Sequence, residues 1–194
     1  MPQDSSQADF WNSRYQNGVT PWNAGGIPHE IAEFAHQHER GRVLIPGCGH
    51  GHEVQALAQG GHQVTAIDFS PDAVAAAQAV LGPLADCVHQ ADFFALNDPQ
   101  GYDWIYERAF LCALPRSRWS DWGRGMQTLL KPGGYLAGYF FLADKPNGPP
   151  FGTDEATVQQ LLGPGFERLA CAQARYSLPV FSGQEYWMIW RRCA

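Results

Sequence analysis

Val43-Leu44-Ile45-Pro46-Gly47-Cys48-Gly49-His50-Gly51 is the stretch on which the reading of this chain turns. The apolar, partly β-branched residues over 42–45 form a strand, and Pro46-Gly47 ends it. Glycines at 47, 49 and 51 follow, then a helical pattern over 53–59 that stops at Gly60-Gly61. A glycine-rich turn between a strand and a helix lets backbone bend sharply and approach a ligand where a Cβ would clash. Such a turn alone is weak evidence, so its neighbours decide what it binds.

A second strand over 63–68 ends on Asp68. A carboxylate there accepts hydrogen bonds from both hydroxyls of a ribose. The pair fits two cofactors, a dinucleotide or S-adenosylmethionine. The dinucleotide fingerprint wants glycine at relative positions one, three and six. Those positions hold Gly47, Gly49 and His52, so the third fails. A third strand over 87–90 leads into Ala91-Asp92-Phe93. In S-adenosylmethionine enzymes an acid at this point accepts from the adenine amino group, and the next residue packs on the ring. Three elements in this order favour S-adenosylmethionine; an NAD-dependent oxidoreductase is the alternative from another class.

Outward from this core the alternation continues. Ser70 is an N-cap, with Pro71 at the first helical position and Asp72 in the first turn. The alanine-rich helix that follows runs to Leu81 and stops at Gly82-Pro83. A fourth strand spans 102–106. Trp119, Trp122, Met126, Leu129 and Leu130 fall at helical spacing, which Gly123 and Gly125 weaken. Lys131-Pro132-Gly133-Gly134 reads as a turn before a strand over 135–141, and a helix over 154–162 takes Thr153 as its cap. Strands over 166–174 and 186–192 close the chain as antiparallel partners. The pattern predicts an α/β fold with a mostly parallel seven-stranded sheet, helices on both faces and an antiparallel C-terminal strand. Ligand binds outside the carboxyl ends of the strands. One domain is expected over 1–194: a core over 42–194, and a cover over 1–41 that carries Trp11, Tyr15, Trp22 and a helix around 28–38.

Composition narrows the partners. Thirteen Lys and Arg against 19 Asp and Glu give a net charge of −6, with no basic run to hold phosphate backbones. The partner expected is therefore a small molecule and not a nucleic acid. Nothing resembles a signal peptide or an apolar run of about 18 residues that would span a membrane. The five cysteines are widely spaced without a CxxC pair, which suggests reduced thiols in a cytoplasmic protein, and a monomer is expected. His36, His38, His50 and His52 lack the acid–histidine spacing of a metal site, so no metal is expected.

Several further motifs carry a family resemblance. They are Trp11-x3-Tyr15-x2-Gly18-x-Thr20-Pro21-Trp22, Pro46-Gly47-Cys48-Gly49, residues 102–108, Phe110-Leu111-Cys112-Ala113-Leu114-Pro115, and Gly148-Pro149-Pro150-Phe151. Together they resemble the thiopurine S-methyltransferases and the related thiocyanate, thiol and halide methyltransferases. The resemblance implies a Rossmann-like class I methyltransferase fold and methyl transfer from S-adenosylmethionine, leaving S-adenosylhomocysteine. The acceptor it implies is a small soft nucleophile, a thiol or thiopurine-type sulfur first, with halide, thiocyanate, selenium or tellurium as the alternative.

By the same resemblance Trp11, Tyr15 and Trp22 close over the cofactor, where aromatic faces stabilise the sulfonium. Gly47 and Gly49 form the turn beside the methionine part, Asp68 takes the ribose, and Asp92 with Phe93 takes the adenine. Arg108 matches an arginine of the thiopurine branch near cofactor and acceptor, where the thiocyanate and halide branch carries tyrosine. Pro46–Gly49 and residues 110–113 are closer to that second branch. Glu107 stands where aspartate is usual. Pro150 and Phe151 wall the acceptor pocket. Glu107-Arg108-Ala109-Phe110 differs from the Asn/Asp-Pro-Pro-aromatic signature of base-amine methylation. For a thiol that is already partly ionised near neutrality a dedicated base is optional.

Overall fold

The computed structural model describes residues 4–194. At its centre β1 (Arg42–Pro46) pairs in parallel with β2 (Gln63–Asp68) on one side and β4 (Tyr102–Arg108) on the other. Outside them lie β3 (Val88–Gln90), β5 (Leu130–Phe141), β6 (Phe166–Gln173) and β7 (Glu185–Arg192). The seven strands run in the order β3-β2-β1-β4-β5-β7-β6. Only β7 is reversed, antiparallel to both β5 and β6. Strand order therefore changes direction between β1 and β4, and the crevice at their carboxyl ends is where such sheets bind ligands.

Alternation along the strands builds two separate cores. Val43, Ile45, Trp104 and Tyr106 point to one face, where they meet α2 (His29–Gln37), α3 (His52–Gln59) and α4 (Pro71–Leu81). Leu44, Ile105, Leu136 and Phe140 point to the other, against α5 (Trp119–Leu129) and α6 (Glu155–Leu162). Each strand is thus apolar on both faces, as a parallel sheet covered by helices requires. At the head of α4 the Ser70 hydroxyl accepts from the Ala73 amide at 3.2 Å, with Pro71 at the first helical position.

Three local expectations change. A helix, α1 (Ala8–Gln16), occupies the N-terminal segment without any side-chain cap and buries only Phe10 among its residues. Lys131–Gly134 is not a turn before the strand but an irregularity inside β5: Tyr102 pairs with Leu130, and the register then slips so that Trp104 pairs with Tyr135. Lys131 is held at this slip by Asp103 at 2.8 Å. The cap of α6 is Asp154, which accepts from the Thr157 amide at 2.7 Å. Thr153 is already engaged, its own amide donating to the Phe141 carbonyl at 3.1 Å.

The two glycines of α5 have packing reasons. A Cβ on Gly125 would lie 2.5 Å from the Phe93 ring, and one on Gly123 would lie 2.1 Å from the Leu161 carbonyl oxygen. Helix propensity alone makes glycine-to-alanine in a helix stabilising by about 1 kcal/mol. At Gly123 the backbone contact outweighs that gain. Gly123→Ala is expected to destabilise the protein by about 1–3 kcal/mol, the range of an overpacked core. Thermal unfolding followed by circular dichroism checks this, and a raised Tm would contradict the packing account.

Candidate functional site

Beyond β1 the backbone enters left-handed conformations at Gly47 (φ +59°) and Gly49 (φ +55°), which side chains rarely adopt. The turn is fixed to the second strand. Gly49 donates to one carboxylate oxygen of Asp68 at 3.1 Å, and Ser70 donates to the other at 3.0 Å. Cys48 donates to the Ile67 carbonyl at 3.0 Å. Asp68 thus joins the glycine turn to the head of α4. Burial pushes its carboxyl up to about 6, against the lowering effect of the Ser70 and Gly49 amides.

A cavity of about 400 Å³ opens over this turn, at the carboxyl ends of β1, β2 and β4. Its size suits a small organic ligand. Trp11, Tyr15, Trp22, Gly47, Gly49, Asp68, Asp92, Phe93 and Arg108 all lie on its wall. The N-terminal segment forms one side. Trp11 and Trp22 meet edge to face at 5.3 Å, and the Trp22 indole N–H donates to the Tyr15 hydroxyl at 3.4 Å. A Cβ on Gly49 would come within 3.0 Å of that hydroxyl, so cover and turn are in close contact. The segment is tied down where Ser70 donates to Asn12 at 2.6 Å and Gln16 donates to Asp72 at 3.0 Å. His52 completes the fastening, 2.8 Å from the Asn23 side-chain oxygen.

On the β3 side, Asp92 caps a short turn by accepting from Phe94 at 2.9 Å, and its carboxylate is exposed. Phe93 is buried against Phe110 at 5.2 Å, in the space that Gly125 leaves. Phe94 lies beside it under the Arg118 guanidinium at 3.9 Å.

The inner end is polar. Arg108, on the last position of β4, has a side chain only 8% exposed. Its guanidinium lies 3.6 Å from Glu53 and 3.9 Å from Glu185, and 4.9 Å over the Tyr139 ring. Yet Nε and Nη1 make no hydrogen bond. Tyr106 donates to Glu53 at 3.2 Å. Glu107 points to the opposite face, fully buried, and accepts from the amides of Phe110 and Leu111 and from the Trp122 indole. Burial raises its carboxyl to about 7 despite these donors. It shapes the 111–113 turn behind the cavity, after Ala109 has taken the left-handed conformation (φ 56°).

Pro149 and Pro150 wall the cavity, but Phe151 does not. Its amide donates to the Cys112 carbonyl at 2.7 Å, which turns the residue away to pack beneath the loop. Val180 and Phe181, from the connection between β6 and β7, take the expected apolar place. Nothing in their local sequence marks them. Glu53 and Tyr106 were also missed: Glu53 in the first turn of α3 has the ordinary reading of an acid near a helix N-terminus. Cys48 and Cys112 are buried thiols whose ionisation burial opposes, so neither is a poised nucleophile. Among the described residues no group of three or more His, Cys, Asp or Glu could hold a metal ion.

This wall fits a nucleoside carrying a sulfonium. The backbone at Gly47 and Gly49 leaves space that a side chain would fill, an acid stands at the end of β2, and aromatic rings line the opposite side. Comparison with known proteins agrees. The model of the thiopurine S-methyltransferase family matches residues 6–187. Thiocyanate methyltransferase 1 of Arabidopsis thaliana is 30% identical over 190 residues, covering 94% of this chain and 84% of that protein. A thiopurine S-methyltransferase of Pseudomonas fluorescens is 29% identical, covering 81% and 82%. In fold the chain is similar to the magnesium protoporphyrin IX methyltransferase of Synechocystis, solved with bound S-adenosylmethionine. There the TM-score is 0.77 at 17% identity, over 99% of this chain and 98% of that one. No helix among the described residues is long and apolar enough to cross a membrane.

Glu107→Gln supplies one accepting oxygen where the carboxylate supplies two, and turns an amide N–H toward other donors. The variant is expected to lose about 1–3 kcal/mol of stability, the cost of an unsatisfied buried donor. Hydrogen exchange at the Leu111 amide should quicken. Unchanged protection there would contradict the role given to Glu107.

Proposed function

The chain belongs to the thiopurine S-methyltransferase family and is an S-adenosylmethionine-dependent methyltransferase, and from that premise we propose that its acceptor is a small soft nucleophile, a thiol or thiopurine-type sulfur. The observation that carries this reading is Arg108, a buried cation on the cavity wall whose Nε and Nη1 make no hydrogen bond. A guanidinium so placed attracts and orients electron-rich sulfur, and stabilises a thiolate.

In this reading Asp68 receives the ribose hydroxyls, Gly47 and Gly49 lie along the methionine part, and Asp92 with Phe93 receives the adenine. S-adenosylmethionine supplies an electrophilic methyl on a sulfur that departs as a neutral thioether. The chain's own task is to hold the acceptor in line and exclude water. Trp11, Tyr15 and Trp22 do so from above, their ring faces favouring the positive sulfur. Pro149, Pro150, Val180 and Phe181 wall the acceptor side. Of the cover expected over 1–41, the described part from residue 4 onward lies against the core over 42–194, with residues 1–3 outside the described residues, and the two are read as one domain. Five widely spaced cysteines with no CxxC pair fit reduced thiols and a cytoplasmic place. Thiocyanate or halide is the second acceptor class, favoured by the 30% identity to a thiocyanate methyltransferase.

Headspace gas chromatography with an aromatic thiol, hydrosulfide, thiocyanate and iodide offered in parallel tests the proposal. Methylated thiols are expected as the leading products. Arg108→Lys keeps a counter-charge for Glu53 and Glu185 but loses the planar fork, and should lower kcat/KM for thiols by about 10²-fold, the scale of one lost preorganised donor. No methylated product from any of the four, or an undiminished Arg108→Lys, would sink this assignment.

A further inference from the structure

Glu53 is an anomaly in the cavity wall. An acid in the first turn of a helix normally faces water, where it favours the helix dipole at little cost. This one is 11% exposed at the side chain and lines the cavity beside Arg108. Oε1 accepts from the Tyr106 hydroxyl and faces the guanidinium at 3.6 Å. Among the described residues nothing donates a hydrogen bond to Oε2. A buried carboxylate costs several kcal/mol of desolvation unless something compensates it. Arg108 compensates only in part, because Glu185 stands 3.9 Å away on its other side. One guanidinium thus faces two carboxylates before any acceptor arrives.

That charge count discriminates between acceptors. An iodide or thiocyanate would bring a further negative charge, whereas a thiol arrives neutral. Once inside, a thiol must lose its proton; Asp92 lies on the β3 side, after the third strand, and the remaining acids near the cavity are committed. Asp68 is held by Gly49 and Ser70, and Glu107 by Phe110, Leu111 and Trp122. Glu185 is not on the wall and accepts from Ser177 and Leu178. His50, in the glycine turn, has its ring beside those of Tyr15 and His52, at 5.2 and 5.9 Å. Glu53 alone among these acids combines a place on the wall, an uncommitted oxygen and contact with Arg108.

We propose that Glu53 is the proton acceptor for thiol substrates, and that with Glu185 it makes the pocket favour neutral thiols over anions that carry no proton. The inference rests on the soft-nucleophile reading above. The thiol S–H proton moves to a Glu53 oxygen, leaving a thiolate beside Arg108. That sulfur then forms its bond to the methyl carbon as the sulfonium C–S bond breaks, its electron pair staying on the departing thioether. The proton leaves Glu53 for water when product is released. The groups facing Glu53 throughout are Tyr106 and Arg108 from β4 and Cys48 from the glycine turn, with Tyr139 and Glu185 behind Arg108.

The test compares the wild-type protein with Glu53→Gln and Glu53→Asp. Methyl transfer is measured to an alkanethiol, to an electron-poor aromatic thiol already ionised at neutral pH, and to iodide. S-adenosylhomocysteine affinity by calorimetry controls for folding and cofactor binding. Glu53→Gln should lower the alkanethiol-to-iodide ratio of kcat/KM by about 10²-fold, the lower range of general-base contributions. Both sides should contribute, with slower thiol transfer and faster iodide transfer. The wild-type pH profile for alkanethiol should level off below the thiol's own pKa, whereas that of Glu53→Gln should follow thiol ionisation. Glu53→Asp should recover part of the ratio. A Glu53→Gln protein that binds S-adenosylhomocysteine but keeps the wild-type ratio, or loses all acceptors equally, overturns the proposal. Wild-type protein that methylates none of them overturns the soft-nucleophile reading as well.

Discussion

The clasp of Asp68 on two backbone amides is the interaction on which the site depends. One carboxylate holds Gly49 in the turn after β1 and Ser70 at the head of α4. Through Gly49 it fixes a backbone path that only glycine follows easily. Through Ser70 it reaches the cover, because the Ser70 hydroxyl donates to Asn12 of α1. The floor of the cavity and its aromatic side are therefore registered to the same side chain. Burial makes this carboxylate reluctant to ionise, and each oxygen can accept more than one hydrogen bond, so a ligand offering hydroxyl donors would add to the two amides in stabilising the ionised form.

At the other end of the cavity, the balance is of buried charges. Arg108 lies between Glu53 and Glu185, and over the Tyr139 ring. Tyr139 in turn donates to Glu30 of α2 at 2.7 Å, and Glu185 receives the Leu178 amide beside the turn that carries Val180 and Phe181. The guanidinium thus connects the central strands, an outer helix and the apolar wall. Its Nε and Nη1 still make no hydrogen bond. A structural ion pair would be expected to satisfy its donors, whereas a binding group keeps some in reserve. The role proposed for Arg108 rests on this contrast.

Much of this was legible in the sequence because the constraints are local. Strand, glycine turn and acid occupy a short contiguous stretch, and Ser70-Pro71 carries its capping chemistry in adjacent residues. What escaped depends on tertiary contacts. Helix α1 has no cap and little buried surface, so its pattern is faint until it docks on α4. Pro132-Gly133-Gly134 has the chemistry of a turn, but pairing of Leu130 with Tyr102 extends β5 back across it. Thr153 and Asp154 are both good caps; the Thr153 backbone is paired with Phe141 and Ala143, and Asp154 is the residue left at the cap position. Phe181 takes the place expected of Phe151 on the cavity wall because one backbone hydrogen bond, from the Phe151 amide to the Cys112 carbonyl, turns the loop. Glu53 was invisible because its burial is set by β4, far away in the chain.

The most direct test of the clasp is calorimetric titration of S-adenosylhomocysteine into the wild-type and Asp68→Asn proteins across pH 5 to 8. An ionised carboxylate accepts ribose hydroxyls better than a protonated one. With its carboxyl at about 6, Asp68 is ionised at neutral pH and mostly protonated at pH 5. Wild-type affinity should therefore fall by about tenfold as pH drops from 7 to 5. Asp68→Asn should bind weakly with a profile lacking that fall, which removes any contribution from His50. Wild-type affinity that is flat with pH, or an Asp68→Asn protein that binds as tightly as the wild type, would contradict the place given to Asp68.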